Sequence, residues 1–189
     1  MNRMNRSDAD RLARATVLWQ HVGRERPSFA LPAGLGQESV WDYPRPPRLV
    51  PDGREVVVMT GPLEIARSRR ALRLLETASP PGFYLPAQDV RTDRLVPAGG
   101  TSHCEWKGEA AYWSVPLPGG GLLDRVAWSY AHPLAPYEAL AGHFGFYPQH
   151  LDCRVDGQRV QPQPGGFYAG WITPEVVGPF KGGPGSGGW

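Results

Sequence analysis

A cysteine and a lysine three residues apart are the strongest candidates for catalytic chemistry in this sequence. Cys104 and Lys107 lie in the segment TSHCEWKGEAAYWSV, residues 101–115, and Gly108 follows the lysine directly. A nearby ammonium group favours the thiolate, the reactive form of cysteine, and the glycine permits a tight turn between the two side chains. The pattern predicts a reactive pair. The alternative is a buried structural cysteine beside an exposed lysine.

Aromatic residues form the second candidate feature, a slot for a planar or cationic ligand. The residues concerned are Tyr84, Trp113, Trp128 and Tyr130. A hairpin that turns at residues 118–121 and pairs Leu117 with Leu122 would place both tryptophans on the same strand face. Aromatic rings provide stacking and cation–π contacts worth about 0.5–2 kcal/mol each. The alternative is that these rings are ordinary core residues.

Two acidic residues are candidates for a general base or for ligand contact. Glu76 is expected at the end of a short helix, residues 69–77, and Asp89 at the start of a strand. Sites often form at such element ends. The alternative is a structural ion pair with Arg91 or Lys107. The outer face of the helix would carry four arginines, which indicate either a solvated surface or an anion-binding patch: Arg67, Arg69, Arg70 and Arg73.

Composition and charge argue against several classes of protein. The only cysteines, Cys104 and Cys153, form no CxxC motif, so neither a disulfide framework, a zinc site nor any other cofactor is expected. A net charge of +2 gives no argument for a nucleic-acid partner. No apolar run approaches the ~18–20 residues that cross a bilayer, and the first residues lack the apolar segment of a signal peptide. A cytoplasmic protein without a membrane partner is therefore expected.

The elements that must position these residues are predicted to be mainly strands, with a minor helical contribution. The chain contains 24 Gly and 21 Pro among 189 residues, which favours turns and extended segments over long helices. Apolar residues at helical spacing predict one amphipathic helix over residues 8–25, capped at Ser7. Residues 89–96 are expected to form a strand and residues 135–142 a short helix.

Three regions are predicted along the chain. Residues 1–53 should hold the basic N-terminal helix and a proline-rich arm, and residues 54–163 the β domain. In residues 164–189, 13 of the 26 residues are Gly or Pro, yet several aromatics recur, so this tail should lie on the domain or on a neighbouring subunit. A homo-oligomer could form through the helix or the tail. A membrane-surface role for the helix and an SH3-type ligand role for residues 40–48 are the alternatives.

Five blocks of the sequence together resemble one family of bacterial and fungal proteins, labelled domain of unknown function 427. The blocks are IARSRRALRLLE (65–76), FYLPAQDV (83–90), HCEWKGEAAYWSV (103–115), AWSYAHP (127–133) and GFYPQHLD (145–152). The resemblance implies a single β-tent-like antiparallel domain, similar to methionine-R-sulfoxide reductases and the thalidomide-binding domain of cereblon. Many such relatives hold zinc between two CxxC pairs, which are missing here. The family is also labelled nucleotidyltransferase-like, but this chain has no Gly-Ser element followed by paired carboxylates.

These features rank three hypotheses for function. The leading hypothesis is a domain that binds a small planar or cationic molecule in an aromatic pocket. The second is an enzyme that uses Cys104 and Lys107, or one with nucleotidyltransferase-like activity. The third is a structural or interaction module that acts through the N-terminal helix and the C-terminal tail.

Overall fold

The described residues, 5–189, fold mainly into antiparallel strands in the computed structural model of this chain. The helix α1 spans Arg6–Val17, and no helix of this part of the chain is long and apolar enough to cross a membrane. The predicted mainly-β fold class is confirmed. In chain order, the strands are β1 (Glu38–Ser39), β2 (Arg48–Asp52), β3 (Val56–Thr60), β4 (Leu63–Ser68), β5 (Ala71–Glu76), β6 (Ser79–Pro86), β7 (Val96–Cys104), β8 (Gly108–Pro116), β9 (Leu122–Ser129), β10 (His143–Phe146), β11 (Asp152–Val155), β12 (Gln158–Arg159), β13 (Gln161–Pro162), β14 (Trp171–Ile172) and β15 (Val176–Val177).

A seven-stranded antiparallel sheet forms the centre of the fold. Its spatial order is β2-β5-β6-β10-β9-β8-β7. A second sheet, of order β12-β11-β3-β4, packs on one face of it, and the main hydrophobic core lies between the two. Phe83 and Leu85 of β6 are fully buried in this core. Because side chains alternate along a strand, the intervening Tyr84 points to the opposite face of the large sheet, hereafter the outer face.

Residues 69–77, predicted to be a helix, contain the strand β5, so this prediction is wrong. Strand β5 is interior to the large sheet, where it pairs with β2 on one side and β6 on the other. Both of its faces are covered, and a register shift after Leu74 lets the consecutive Leu74 and Leu75 both be buried. The resulting apolar spacing resembles that of a helix, and pairing within the sheet overrides the helical propensity.

The other helical and extended predictions are also corrected by the structure. Helix α1 is capped by Asn5 rather than Ser7, and it ends at Val17, well before residue 25. Beyond the helix, the Gln20 N–H donates to the carbonyl of Gly188 in the tail, at 3.2 Å. Short 3-10 turns, Ala87–Asp89 and Thr92–Arg94, replace most of the strand predicted over residues 89–96. The helix predicted over residues 135–142 is only the 3-10 turn Glu138–Leu140.

The N-terminal arm and the C-terminal tail lie against each other and against the sheets. Strands β1 and β15 pair in parallel, and the Trp41 indole N–H donates to the carbonyl of Pro179 at 3.1 Å. The ring of Trp189 stacks on that of Phe29 at 5.0 Å between centroids. Trp41 and Trp171 are almost completely buried. Residues 1–4 of the predicted region 1–53 lie outside the described part of the chain.

Candidate functional site

A cavity of about 670 Å³ opens on the outer face of the large sheet. Its floor comes from β5, β6, β8 and β9, and its walls come from the β7–β8 turn, the segment after α1 and the C-terminal tail. The sheet positions the floor because every second residue of each strand points outward. The cavity brings together six of the residues predicted from the sequence: Glu76, Tyr84, Cys104, Lys107, Trp128 and Tyr130.

Three aromatic side chains in contact form the floor. The centroid of the Tyr84 ring lies 5.8 Å from that of the Trp128 ring, in an edge-to-face arrangement, and 6.4 Å from that of the Tyr130 ring. The ring of Tyr147 also packs against Trp128, with 4.8 Å between the centroids. Gly145 pairs with Trp128 across β10 and β9, and a Cβ atom at residue 145 would come within 2.3 Å of the indole. The glycine therefore lets the indole lie flat over β10.

Trp113 is not part of the cavity, so the predicted hairpin register is wrong. Leu122 pairs with Pro116 rather than Leu117, and an irregularity between residues 113 and 115 shifts the register again. Tyr112, not Trp113, is therefore opposite Trp128 and lines the cavity. Trp113 points to the opposite face, where it packs against the main core and its indole N–H donates to Ser129 Oγ at 2.9 Å.

Asp89 lies away from the cavity. Its carboxylate pairs with Arg70 at 2.5 Å and accepts a hydrogen bond from the Ser68 hydroxyl at 2.7 Å. The hydrogen bond from Arg70 is the main cause that lowers the pKa of Asp89. The structural ion pair is thus formed, with a partner other than the two predicted. The arginine patch also has carboxylate partners, because Arg67 and Arg69 pair with Glu55.

Glu76, at the end of β5, has its carboxylate engaged by two neighbours. Arg45, whose side chain is fully buried, lies 3.2 Å from Glu76 Oε1, and the Trp106 indole N–H donates to the same oxygen at 3.3 Å. The Arg45 guanidinium also donates to the carbonyls of His21 and Thr77, at 2.8 and 2.7 Å. Glu76 therefore neutralises the buried guanidinium of Arg45, which two backbone carbonyls also hold in place.

Lys107 is buried in the cavity wall while Cys104 is partly exposed. This is the reverse of the predicted alternative, a buried cysteine beside an exposed lysine. The two residues flank the β7–β8 turn, which ends at Gly108 with a φ of +91°, in the left-handed region that favours glycine. Arg11 of α1 holds this turn, since its guanidinium donates to the carbonyl of Glu105 at 2.7 Å. Lys107 Nζ lies 5.7 Å from the centroid of the Tyr130 ring.

Burial and neighbouring groups act on the pKa of Lys107 in opposite directions. Burial lowers the pKa of the Lys107 ammonium, but the negative charge that Tyr84, Tyr130, Cys104 and Glu76 can carry raises it, and the net shift is upward. Burial in turn raises the pKa of the Tyr84 and Tyr130 phenols. The cavity thus places the Lys107 ammonium beside aromatic rings.

Lys181 was missed by sequence reasoning, although it is a second buried cation of the cavity. It belongs to the C-terminal tail, is 4% exposed, and places its Nζ 3.2 Å from the centroid of the Trp19 ring. Arg45 lies over the same indole at 4.6 Å. A sequence signal did exist: Lys107 and Lys181 are the only lysines of a chain in which Lys and Arg total 20. Arginine supplies the other 18 basic residues, so the presence of lysine at only two positions could have marked these two as candidates for the site.

In the described part of the chain, neither lysine has a carboxylate partner. Within residues 5–189, no ion pair involves Lys107 or Lys181. In the same residues no group of three or more His, Cys, Asp or Glu side chains could hold a metal ion. The site therefore combines an aromatic floor with two ammonium groups whose charge is not neutralised by a salt bridge.

Comparison with known proteins gives a family match. A family model described as "Domain of unknown function (DUF427)" matches residues 48–157, which is more than half of the chain. The matched region runs from β2 to the turn after β11 and includes Cys104, Lys107 and the aromatic floor, but neither Trp19 nor Lys181. No curated protein matches the chain.

Proposed function

Because the chain belongs to the DUF427 family, whose description assigns no function, we propose a function from its cavity: it binds a small planar molecule that carries a negative charge. Of the two expected alternatives, a planar or a cationic ligand, the planar one is kept and the cationic one is replaced by an anionic ligand. A cationic ligand would meet Lys107 and Lys181, whereas the carboxylate of Glu76 is already engaged by Arg45.

The observation that carries this proposal is that the two buried lysines have no counter-ion among residues 5–189. A buried charge is costly unless it is paired, by several kcal/mol in order of magnitude. An anionic ligand group would supply the missing partner for Lys107 or Lys181. The same group would gain more from the interaction than at an exposed lysine, because water screens the charges less in a partly enclosed cavity.

The planar part of the ligand follows from the floor. Tyr84, Trp128 and Tyr130 offer ring faces and edges for stacking, a contact worth about 0.5–1.5 kcal/mol per pair beyond the apolar area buried. The volume of about 670 Å³ lies within the range of about 300–1,000 Å³ for small-molecule sites. Carboxylate and phosphate share the required charge, so the cavity fits an aromatic acid as well as a nucleotide-like phosphate.

A matched ligand set tests the proposal. We would titrate the protein with 2-naphthoate, 2-naphthyl phosphate, 2-naphthamide and 2-naphthylmethylammonium, and measure affinity by calorimetry. At least one anion should bind about tenfold or more tightly than the amide, a difference of about 1.4 kcal/mol, and the cation should bind most weakly. The affinities of 2-naphthoate and 2-naphthyl phosphate show whether the site prefers a carboxylate or a phosphate. Equal affinities for all four probes would refute the proposal.

Three variants assign the binding to this cavity. Trp128→Leu should weaken every probe, because it removes the ring on which they stack. Lys107→Met should weaken the anions and leave the amide unchanged. Trp113→Phe is the matched control, since Trp113 lies on the opposite face of the sheet, and it should bind all four probes as the unmodified protein does.

A second candidate function is nucleophilic catalysis at Cys104. It is favoured by one observation: Cys104 is partly exposed and lines the same cavity as the Lys107 ammonium. A thiolate there could attack an electrophilic carbon of a bound ligand, as cysteine nucleophiles do. The rate at which iodoacetamide alkylates Cys104, compared with the rate for Cys153, tests this candidate.

A further inference from the structure

The two lysines of the cavity have different surroundings, and this difference points to a covalent role for one of them. Lys107 and Lys181 are the only lysines of the chain, and both are buried in one cavity. Arginine carries the positive charge everywhere else and remains protonated in proteins, whereas lysine can lose its proton when its surroundings disfavour the ammonium. A function that needs a neutral amine would explain why lysine is present here.

We propose that Lys181 is a carbonyl-binding residue, whose amine forms an imine with an aldehyde or ketone group of the ligand while Lys107 binds the ligand's anionic group. This inference rests on the proposed function, because the ligand must first enter the cavity as a planar anion. It adds a reactive group to the ligand and a covalent step to its binding.

The geometry places the Lys181 side chain firmly at the cavity wall. Its backbone N–H donates to the carbonyl of Ala78 at 2.7 Å, and its own carbonyl accepts a hydrogen bond from Gln163 Nε2 at 2.9 Å. The Lys181 Nζ lies 3.2 Å from the centroid of the Trp19 ring and 5.4 Å from that of the Tyr168 ring. Gly166, Phe167 and Tyr168 line the same cavity as Lys181.

Burial favours the neutral form of Lys181. Burial is the main cause, Arg45 adds repulsion, and Glu76 and Glu105 act in the opposite direction, so that the pKa of Lys181 falls to about 8. Arg45 cannot move away, since Glu76 and two backbone carbonyls hold it. About one tenth of a group with such a pKa is deprotonated one pH unit lower, near neutral pH. A lysine beside another cation is a known way to activate an amine.

The reaction needs no oxidant or reductant. The lone pair of the neutral Lys181 amine attacks the carbonyl carbon, and the π electrons of the C=O bond move to oxygen. Protons then pass from nitrogen to oxygen, water leaves, and the C=N bond forms. One amine and one carbonyl compound therefore give one imine and one water molecule. The pKa of Lys107 is shifted upward rather than downward, so Lys107 is the less suitable nucleophile and its ammonium is available for the anionic group.

Borohydride trapping tests the inference. We would incubate the full chain with 4-carboxybenzaldehyde from pH 6 to pH 10, reduce with sodium borohydride after a fixed time, and locate the adduct by peptide mass spectrometry. The lysines of this sequence are Lys107 and Lys181, so peptide mapping distinguishes their amines from any α-amine. The adduct should form at Lys181, and its yield should rise with pH through a midpoint of about 8, rather than about 10.4 as for an ordinary lysine.

Two variants and one additional probe separate the possible failures. Lys181→Arg keeps a cation over Trp19 and should abolish the adduct, with circular dichroism to verify folding. Lys107→Met should leave the adduct at Lys181 but require about tenfold more probe. 4-Methylbenzoate, which has no carbonyl group able to form an imine, reports reversible binding alone. Binding of 4-methylbenzoate without an adduct at Lys181 overturns only the covalent inference. Absence of both overturns the proposed function as well. An adduct at Lys181 without 4-methylbenzoate binding overturns the proposed function and, with it, the role of Lys107 in the inference, and leaves only the reactivity of the Lys181 amine.

Discussion

At the scale of single residues, burial separates the two cysteines more clearly than their sequence neighbours do. Cys153 is 1% exposed within the main core, and burial raises the pKa of its thiol. Cys104 is partly exposed at the cavity wall, on the turn that also carries Lys107. Only one of the two thiols is therefore placed to react with a molecule from solution.

Alkylation with iodoacetamide should distinguish the cysteines. Cys104 should be modified in the folded protein while Cys153 remains unmodified until the protein is unfolded. If Cys104 is a nucleophile activated by its neighbour, Lys107→Met should slow its alkylation about three- to tenfold at pH 7, because the thiolate loses a nearby cation. Peptide mass spectrometry over time measures both rates. A Lys107→Met variant that reacts as fast as the parent would remove the case for catalysis at Cys104.

The limits of sequence reasoning are visible at the scale of elements. Strand composition and the family blocks predicted a mainly-β domain, and they identified six residues that do share one cavity. The identity of β5 could not be predicted, because a strand covered on both faces has no alternating pattern and its apolar residues then fit a helix equally well. Trp113 was misplaced for a related reason, since one irregularity in a hairpin exchanges the two faces for every residue beyond it.

The packing of β9 against β10 gives a prediction at this scale. Gly145→Ala should destabilise the protein by about 1–3 kcal/mol, because the added Cβ would lie 2.3 Å from the Trp128 ring and force it from the floor. Urea unfolding measures the stability, and tryptophan fluorescence with 2-naphthoate titration reports the floor. Gly53→Ala is the matched control, since an added Cβ at residue 53 meets no atom within 4 Å. Equal stability of the two variants would show that Trp128 can move without cost.

At the scale of the whole molecule, the cavity is completed by segments far apart in sequence. The sheet supplies the floor, but Trp19 follows the N-terminal helix and Lys181 lies in the Gly- and Pro-rich tail. Neither segment has a periodic pattern that indicates where it packs, so sequence periodicity could not place Lys181 beside Trp19. The family match stops at residue 157, before the tail begins. The matched region therefore contains Lys107 but not Lys181.

The last residue of the chain gives a test of this arrangement. Trp189 stacks on Phe29 and meets Trp41 edge-to-face at 5.2 Å, while the preceding Gly188 accepts the hydrogen bond from Gln20. These contacts join the tail to the N-terminal arm and so maintain the side of the cavity that contains Lys181. Trp189→Ala should therefore release the tail locally without unfolding the sheets.

Hydrogen exchange provides the measurement for this variant. The Lys181 amide, which donates to Ala78 at 2.7 Å, should exchange at least about tenfold faster in Trp189→Ala, corresponding to about 1.4 kcal/mol of lost local stability, while amides of β6 and β9 should be unchanged. The affinity of Trp189→Ala for 2-naphthoate should also be lower than that of the unmodified protein. Leu35→Ala is the control, because Leu35 is fully exposed and its removal should alter neither quantity. Unchanged exchange at Lys181 would mean that the β1–β15 pair alone holds the tail, and that the cavity wall does not depend on the contacts of Trp189.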